Sequence, residues 1–223
     1  MTIVRDDPSS PDQGFAELYA QLPDATDLSP WLELAQAAAP PVLYLGIGTG
    51  RLAVPLHAAG IEFVGVDSHP GMLARLRQRL PGTELIQSRI EDLNLARSFD
   101  LVLVPSNILC FADRLRSAAN HVAADGLLAF ELTNPYWLRA GAGRGVRVKS
   151  FDGNGARIEV DYRLPDGRII TQQAEIPLIW PEEVENWLAT VAGLKLRRIF
   201  ARPDAEIVES ASFYVVAGTS GYS

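Results

Sequence analysis

A short apolar run that ends in closely spaced glycines constrains the fold of this chain more than any other segment. Residues 42–50 are VLYLGIGTG, and a second apolar run ends at Asp67. The first run predicts a strand that leads through a tight turn into a helix, and the second predicts the next parallel strand. Gly46 and Gly48 would let a ligand approach backbone N–H groups, and an acid placed like Asp67 can hydrogen-bond ribose hydroxyls. The two motifs predict a site for a nucleoside-containing cofactor.

Strand and helix patterns alternate around this unit. The predicted strands are residues 42–45, 62–66, 83–87, 99–104 and 127–132, and the predicted helices are 15–22, 30–39, 52–60, 70–80 and 112–124. Ser68 is predicted to cap the fourth helix, and Asp125 with Gly126 to end the fifth. Such alternation is typical of a doubly wound parallel sheet.

Beyond residue 134 the pattern changes to alternation of apolar and polar residues. Segments 144–151, 157–163 and 168–175 alternate in this way and are separated by glycine-containing turns. They predict an antiparallel β-meander, an insert over residues 144–176. A helix over 184–192 and strands over 194–200 and 212–217 complete the chain. We expect one domain over residues 1–223, with a flexible tail over 1–13.

Composition excludes several classes of function. The net charge of −7 argues against nucleic-acid binding, which needs a basic face. Cys110 is the only cysteine, so neither a disulfide framework nor a cysteine-rich zinc site is expected. His57, His69 and His121 have no second ligand at metal-binding spacing, so no metal is expected. Neither a signal peptide nor a run of eighteen apolar residues is present, so we expect a cytoplasmic protein without a membrane span.

The residue after the last glycine distinguishes two kinds of cofactor. A dinucleotide-binding turn needs a small residue late in the motif so that the helix can pack closely on the strand. Arg51, which directly follows Gly50, does not fit that pattern. Three alternating glycines followed by an acid after the second strand resemble instead the first two motifs of class I S-adenosylmethionine-dependent methyltransferases. A nicotinamide oxidoreductase is the alternative that Arg51 disfavours.

The resemblance continues along residues 15–217. Further segments similar to the family are 65–73 (GVDSHPGML), 99–104 (FDLVLV), 121–128 (HVAADGLL) and 180–183 (WPEE). The resemblance implies an α/β, Rossmann-like fold with a seven-stranded, mostly parallel sheet in the order 3-2-1-4-5-7-6. The meander would be inserted after strand five and cover the active site.

The resemblance also implies roles for single residues. Gly46 and Gly48 would admit the methionine part of S-adenosylmethionine, and Asp67 would take the ribose hydroxyls. Met72 would pack on the adenine, and Tyr19 would close over the carboxylate end. The full set of predicted cofactor residues is Tyr19, Gly46, Ile47, Gly48, Asp67, Ser68, Met72, Arg89, Ile90 and Pro105.

Arg89 departs from the family pattern. Members usually have an acid followed by an apolar residue after strand three, and the acid accepts from the adenine amino group. Here the pair is Arg89 and Ile90, and an arginine cannot accept a hydrogen bond. Three possibilities stay open: Asp92 or a backbone carbonyl substitutes, Arg89 points away, or adenine recognition is weakened. Contact of Ile90 with the adenine suits all three.

Ser106 and Asn107 follow strand four, where the family places the reacting centre, and they are the predicted catalytic residues. Either could hydrogen-bond a substrate nucleophile, or simply cap the loop. Similar structural alternatives apply elsewhere, since Tyr19 and Met72 could be packing residues, and Cys110 is expected in the core.

The predicted function is transfer of a methyl group from S-adenosylmethionine to nitrogen or oxygen of a small molecule, in bacterial secondary metabolism, with S-adenosylhomocysteine as the product. The abundance of arginine over lysine, with many Ala, Gly and Pro residues, suggests a GC-rich bacterial genome. We expect a monomer or homodimer with a small-molecule acceptor. The alternative is a cofactor-binding cyclase, isomerase or regulator on the same fold that transfers no methyl group.

Overall fold

A seven-stranded sheet forms the centre of the molecule in the computed structural model, which describes residues 2–5, 12–143, 145–202 and 206–219. Its strands are β2 (Val42–Leu45), β3 (Phe63–Asp67), β4 (Glu84–Gln87), β5 (Phe99–Val104), β6 (Val122–Thr133), β10 (Lys195–Phe200) and β11 (Ser212–Gly218). The spatial order is β4-β3-β2-β5-β6-β11-β10; β11 pairs antiparallel with both β6 and β10, and the other pairs are parallel. This is the predicted order.

Helices cover both faces of this sheet because its strands are apolar on both sides. They are α1 (Gln13–Gln21), α2 (Trp31–Gln36), α3 (Ala53–Ala58), α4 (Pro70–Arg79), α5 (Ala112–Ala119), α6 (Pro135–Arg139) and α7 (Val184–Ala192). Leu115 of α5 and Leu188 of α7 belong to one core cluster, whereas Trp31 of α2, Leu56 of α3 and Leu73 of α4 belong to another. The resulting layers fix the strand ends from which the site is built.

The insert forms a second sheet from β7 (Val146–Asp152), β8 (Gly155–Arg163) and β9 (Ile169–Pro177). Both of its hairpins are antiparallel, as the alternating sequence pattern predicts.

The prediction of a flexible tail is wrong for residues 2–5. They form β1 (Thr2–Arg5), which adds to the sheet parallel to β9. Val4 is buried with Phe15, Leu18 and Ile170, so the strand both covers an open edge and fills a core. Residues 1 and 6–11 lie outside the described residues.

The predicted end of the fifth helix is also wrong. α5 ends at Ala119, and Asp125 and Gly126 lie inside β6 instead of stopping a helix. A Cβ on Gly126 would lie 2.8 Å from the carbonyl oxygen of Phe99, so glycine is needed for close approach to β5. A bulge in the β5–β6 pairing explains why this strand is longer than its apolar run.

Candidate active site

A cavity of about 350 Å³ opens at the carboxyl ends of the parallel strands, beneath the insert. This is the place where open α/β sheets bind their ligands. The lining residues are Phe15, Tyr19, Gly46, Gly48, Asp67, Ser68, His69, Met72, Ser88, Arg89, Ile90, Glu91, Ser106, Asn107, Ile108, Arg114, Thr133, Ile158, Val160, Tyr162, Gln172, Ala174 and Ile176. The cavity therefore brings together ten of the twelve predicted site residues.

The glycine turn forms one wall of the cavity. Gly46 and Gly48 have φ of +70° and +58°, a region in which side chains are strained. A Cβ on Gly48 would lie 3.6 Å from Sδ of Met72, inside the cavity wall. Ile47 does not line the cavity: its side chain is buried and would contact any Cβ placed on Gly65 of β3. Ile47 is a predicted cofactor residue, and its side chain lies outside the cavity.

Asp67 is held at the end of β3 by two backbone donors. Its Oδ2 accepts from the N–H of Gly48 at 2.8 Å, and its Oδ1 accepts from the N–H of His69 at 2.8 Å. Burial raises the pKa of Asp67, although these backbone bonds act in the opposite direction. A carboxylate has about four acceptor positions, so both oxygens can accept further bonds from a ligand in the cavity.

His69, not Ser68, caps α4. The Nδ1 atom of His69 accepts from the N–H of Gly71 at 3.1 Å, and its Nε2 lies 2.9 Å from the carbonyl oxygen of Asp12. An Nδ1 that accepts and an Nε2 that donates define a neutral imidazole with both nitrogens engaged. The prediction that Ser68 caps the helix is wrong, and Ser68 lines the cavity next to Asp67 instead.

Met72 of α4 and Ile90 also line the cavity, and both are buried. Arg89 turns toward Glu91, whose Oε1 accepts from Nε of Arg89 at 2.8 Å. Arg114 of α5 approaches the other oxygen of Glu91, with Nε 3.5 Å from Oε2. Asp92 is 70% exposed and does not line the cavity. Glu91 is not among the residues predicted from sequence, although it stands directly after the Arg89–Ile90 pair in the chain.

The two predicted catalytic residues differ in their surroundings. Asn107 is a structural link, because its Oδ1 accepts from the N–H of Thr133 at 2.8 Å and its Nδ2 lies 3.6 Å from Sγ of Cys110. The buried Oγ of Ser106 has no hydrogen-bond partner within the described part of the chain. A buried hydroxyl without a partner is costly, so Ser106 is the polar group most available to a ligand. Pro105, a predicted cofactor residue, is not among the residues that line the cavity.

The insert closes the cavity from the other side. The hydroxyl of Tyr19 on α1 lies 3.1 Å from that of Tyr162 on β8, and Tyr162 donates to Oε1 of Gln172 on β9 at 2.8 Å. The remaining insert residues that line the cavity are aliphatic: Ile158, Val160, Ala174 and Ile176. Tyr162 and Gln172 were not predicted, although the alternation along β8 places Ile158, Val160 and Tyr162 on one face.

Other candidate groups take part in packing. His121 bonds to the carbonyl oxygen of Ser117 through Nδ1 at 2.8 Å and accepts from the N–H of Leu95 at Nε2. Cys110 is buried, as predicted. Over the described ranges no group of three metal-ligating side chains occurs. A search of those same residues finds no helix long and apolar enough to cross a membrane.

Comparison with known proteins agrees with the motifs. Residues 42–126 match the family model described as a methyltransferase domain. YqeM of Bacillus subtilis (strain 168), a methyltransferase by name, is 24% identical over 171 residues, which are 75% of this chain and 65% of that protein. The uncharacterised methyltransferase Rv3342 of Mycobacterium tuberculosis is 43% identical over 83 residues, 37% of this chain and 32% of that one. The chain thus spans less than two thirds of either relative.

Solved structures share the fold over most of its length. An S-adenosylmethionine-dependent methyltransferase from Clostridium acetobutylicum has a TM-score of 0.70 at 16% identity, with 93% of this chain and 98% of that chain covered. CalS10, an amino pentose methyltransferase from Micromonospora echinaspora solved with S-adenosylmethionine bound, has a TM-score of 0.65 at 21% identity, with 85% and 87% covered.

The match over residues 42–126 contains the glycine turn, Asp67 and the strand that precedes Ser106. This part of the chain therefore matches a methyltransferase domain, and the chain shares the fold of S-adenosylmethionine-dependent methyltransferases, in agreement with the predicted family and cofactor.

Proposed function

We propose that this methyltransferase transfers a methyl group from S-adenosylmethionine to a nitrogen of a small molecule, with the cofactor lying along the strand ends from Gly46 to Ile90. The observation that carries the proposal is one cavity lined both by the ends of β2, β3 and β5 and by the insert. The cofactor, when bound, supplies a methyl group that its sulfonium already activates. The chain's own residues then mainly have to bind and orient two ligands.

The residues along the core side suit the cofactor from end to end. Gly46 and Gly48 leave room at the turn, and the free hydroxyl of Ser106 lies beside them, 3.7 Å from a Cβ placed on Gly46. Asp67 keeps acceptor positions for the two ribose hydroxyls. Met72 and Ile90 offer apolar surfaces to a flat purine ring. Each ligand part therefore faces side chains or backbone of matching polarity.

The absence of a free base among the described lining residues favours an amine acceptor. Asp67 and His69 are engaged with backbone groups, and Glu91 is paired with arginines. An amine that is neutral has a lone pair ready to attack, whereas an alcohol must lose a proton to a base as it reacts. Ser106 and Gln172 can orient such an amine without deprotonating it.

The aliphatic face of the insert indicates a small organic acceptor. Ile158, Val160, Ala174 and Ile176 cover it, and an apolar wall of this kind gains free energy by excluding water from a compact ligand. The net charge of −7 disfavours a nucleic acid in this place. CalS10 is involved in calicheamicin biosynthesis; for this chain we propose secondary metabolism as the setting.

The test is turnover with a panel of small amines and matched alcohols. Purified protein is incubated with S-adenosylmethionine, and S-adenosylhomocysteine and methylated products are measured by mass spectrometry. We expect S-adenosylhomocysteine to form only with an acceptor, in equal amount to a methylated amine. Tight cofactor binding without product from any acceptor would favour the alternative of a cofactor-binding regulator, and a rearranged but unmethylated product would favour a cyclase or isomerase.

A further inference from the structure

The cavity face of the insert has a polar end and an aliphatic end. Tyr162 of β8 and Gln172 of β9 are joined by a hydrogen bond and are the polar side chains of the insert among the described lining residues. Because Gln172 is the register partner of Val160, and residues two positions apart share a face, this polar pair lies at one end of the face. The aliphatic lining residues of the insert are Ile158, Val160, Ala174 and Ile176.

The hydrogen bonds of the polar pair have a fixed direction. An amide oxygen only accepts, so the hydroxyl of Tyr162 donates to Oε1 of Gln172 at 2.8 Å. Because a hydroxyl has one hydrogen, Tyr19 is the donor in its 3.1 Å contact with Tyr162. Gln172 is therefore held through its oxygen, and both hydrogens on its Nε2 remain available.

The NH₂ group of Gln172 is a donor without a partner among the described residues. The residue is only 8% exposed, and it lines the cavity. A buried donor that lacks an acceptor costs free energy, and the aliphatic side chains beside Gln172 offer none. A ligand that brings an accepting atom to this place removes that cost.

The reacting nitrogen of the acceptor is unsuited to satisfy this donor. A neutral amine attacks the methyl group with its lone pair, and a hydrogen bond donated to the nitrogen would occupy the same lone pair. The hydrogens of the amine are themselves donors and do not pair with an NH₂ group. The partner of Gln172 is therefore a second polar atom of the acceptor, one that accepts a hydrogen bond.

We propose that Gln172 selects acceptors that carry, besides the reacting nitrogen, an oxygen to which its Nε2 donates. The class that fits is a small amine with an ether, hydroxyl or carbonyl oxygen on an otherwise apolar frame, since the frame then lies against the aliphatic end of the insert. Tyr162 is a positioning residue that orients the amide. The inference rests on the proposed function and names the substrate class of that site.

The first test replaces one atom of the acceptor. Tetrahydropyran amines, with the amino group at either ring position that is not next to the oxygen, are compared with cyclohexylamine, which has the same shape but no oxygen. The value of kcat/KM is obtained from S-adenosylhomocysteine formation and expressed per concentration of neutral amine, because the ring oxygen lowers the basicity of the amine. We expect the better ether amine to exceed cyclohexylamine about tenfold. Equal values, or a higher value for cyclohexylamine, would overturn the inference.

The second test assigns the preference to a residue. Gln172→Met removes the amide at similar size, so we expect the ratio of the two kcat/KM values to fall to within about twofold of one, mainly through the ether amine. Gln173→Met is the matched control, because Gln173 bonds to Glu159 and does not line the cavity. A ratio that survives in Gln172→Met, or that is lost in Gln173→Met, would contradict the assignment.

The positioning role of Tyr162 has its own readout. In Tyr162→Phe the amide of Gln172 loses the hydroxyl that orients it, so the ratio of the two kcat/KM values should fall about threefold. The value for cyclohexylamine should stay within about twofold of wild type. An unchanged ratio, or an equal loss for both amines, would make Tyr162 a packing residue.

The outcomes separate this inference from the proposed function. If no amine yields S-adenosylhomocysteine, methyl transfer to nitrogen is wrong and the inference fails with it. If ether amine and cyclohexylamine react equally, the proposed function stands and only the role of Gln172 fails.

Calorimetry checks which ligand the amide serves. The Kd of Gln172→Met for S-adenosylhomocysteine should stay within about twofold of wild type, and a loss of binding would assign the donor to the cofactor instead. Thermal unfolding checks that the variant is folded. Should it not fold, the comparison of the amines on the wild-type protein still decides.

Discussion

The two walls of the cavity are built in different ways. The core wall comes from consecutive strand ends, where the N–H of Gly48 donates to Oδ2 of Asp67 at 2.8 Å. The cap wall comes from α1 and the insert, where Tyr19 meets Tyr162 across 143 positions of sequence. The core wall uses backbone groups and offers a fixed set of donors and acceptors. The cap wall presents side chains of α1, β8 and β9, so we expect the core to hold the cofactor and the cap to select the acceptor.

The strongest way to break this comparison is to remove the charge from the core wall. In Asp67→Asn one carboxylate oxygen becomes an NH₂ group, which faces the N–H donor of either Gly48 or His69. The side chain also has fewer acceptor positions for the ribose hydroxyls. We expect the Kd for S-adenosylhomocysteine to rise by about 100-fold in calorimetry. Asp100→Asn, at an exposed position of β5, is the control and keeps wild-type affinity. Unchanged binding in Asp67→Asn would contradict the assignment of the core wall.

Protonation of the same carboxyl gives the next largest effect. Because burial raises the pKa of Asp67 above 3.8, the group in the empty protein takes up its proton at a higher pH than an exposed one. Ligand affinity is therefore expected to rise with pH through this raised pKa, by up to about tenfold per pH unit, and to level off above it.

The stability of the protein without ligand is expected to change with pH in the opposite direction, falling as pH rises. A raised pKa contributes stability below the unfolded value of 3.8, and that contribution is lost as pH rises through the folded pKa. Calorimetry and thermal unfolding across this range check both effects. The affinity change should be absent in Asp67→Asn; its persistence there would assign the titration to another group.

The core wall could be predicted from sequence because each of its parts is local. The glycine turn, Asp67 and the Arg89–Ile90 departure lie at strand ends that apolar runs identify. The errors were local as well. Ile47 faces the sheet because the turn between two glycines rotates its side chain inward, and His69 outcompetes Ser68 as the cap because its ring also reaches the carbonyl oxygen of Asp12.

For the cap wall, the sequence predicts the antiparallel meander but not which residues of the meander line the cavity. The alternation along β8 identifies a face, but the partner of that face depends on α1, which is distant in sequence. The β1 strand was missed because a short segment next to a polar stretch has no pattern that reveals pairing with β9. Glu91 could not be predicted as a lining residue, because its contact with Arg114 comes from a helix that follows later in the chain.

Ser106 and Asn107 are neighbours in the chain, but we expect substitutions at the two residues to affect different properties: stability for Asn107 and ligand binding for Ser106. Asn107→Ala leaves the N–H of Thr133 without its acceptor, so we expect a loss of about 1–3 kcal/mol in the free energy of unfolding. Ser106→Ala removes a hydroxyl that has no partner among the described residues, so its unfolding free energy should stay within about 0.5 kcal/mol.

In ligand binding we expect the larger effect from Ser106→Ala and the smaller one from Asn107→Ala. Ser106→Ala is expected to weaken S-adenosylhomocysteine binding or lower kcat/KM severalfold, because it removes a polar group that a ligand would satisfy. Denaturant unfolding and calorimetry on both variants check the pair. A Ser106→Ala protein that is strongly destabilised, with normal ligand binding, would make Ser106 a structural residue.

The smallest effect is expected in the cap wall. Tyr162→Phe removes the hydroxyl that bonds to Gln172 and meets Tyr19. With Tyr19→Phe and the double variant, we expect a coupling of about 1 kcal/mol in acceptor binding and less than threefold change in cofactor Kd. An effect of Tyr162→Phe on cofactor binding as large as that of Asp67→Asn would remove the distinction between the two walls.

The most direct measurement is a crystal structure of the protein with S-adenosylhomocysteine. The account predicts ribose hydroxyls within hydrogen-bond distance of Asp67, the purine between Met72 and Ile90, and the sulfur facing the aliphatic surface of β8 and β9. A ligand bound elsewhere, or one that enters the cavity with its ribose away from Asp67, would contradict it.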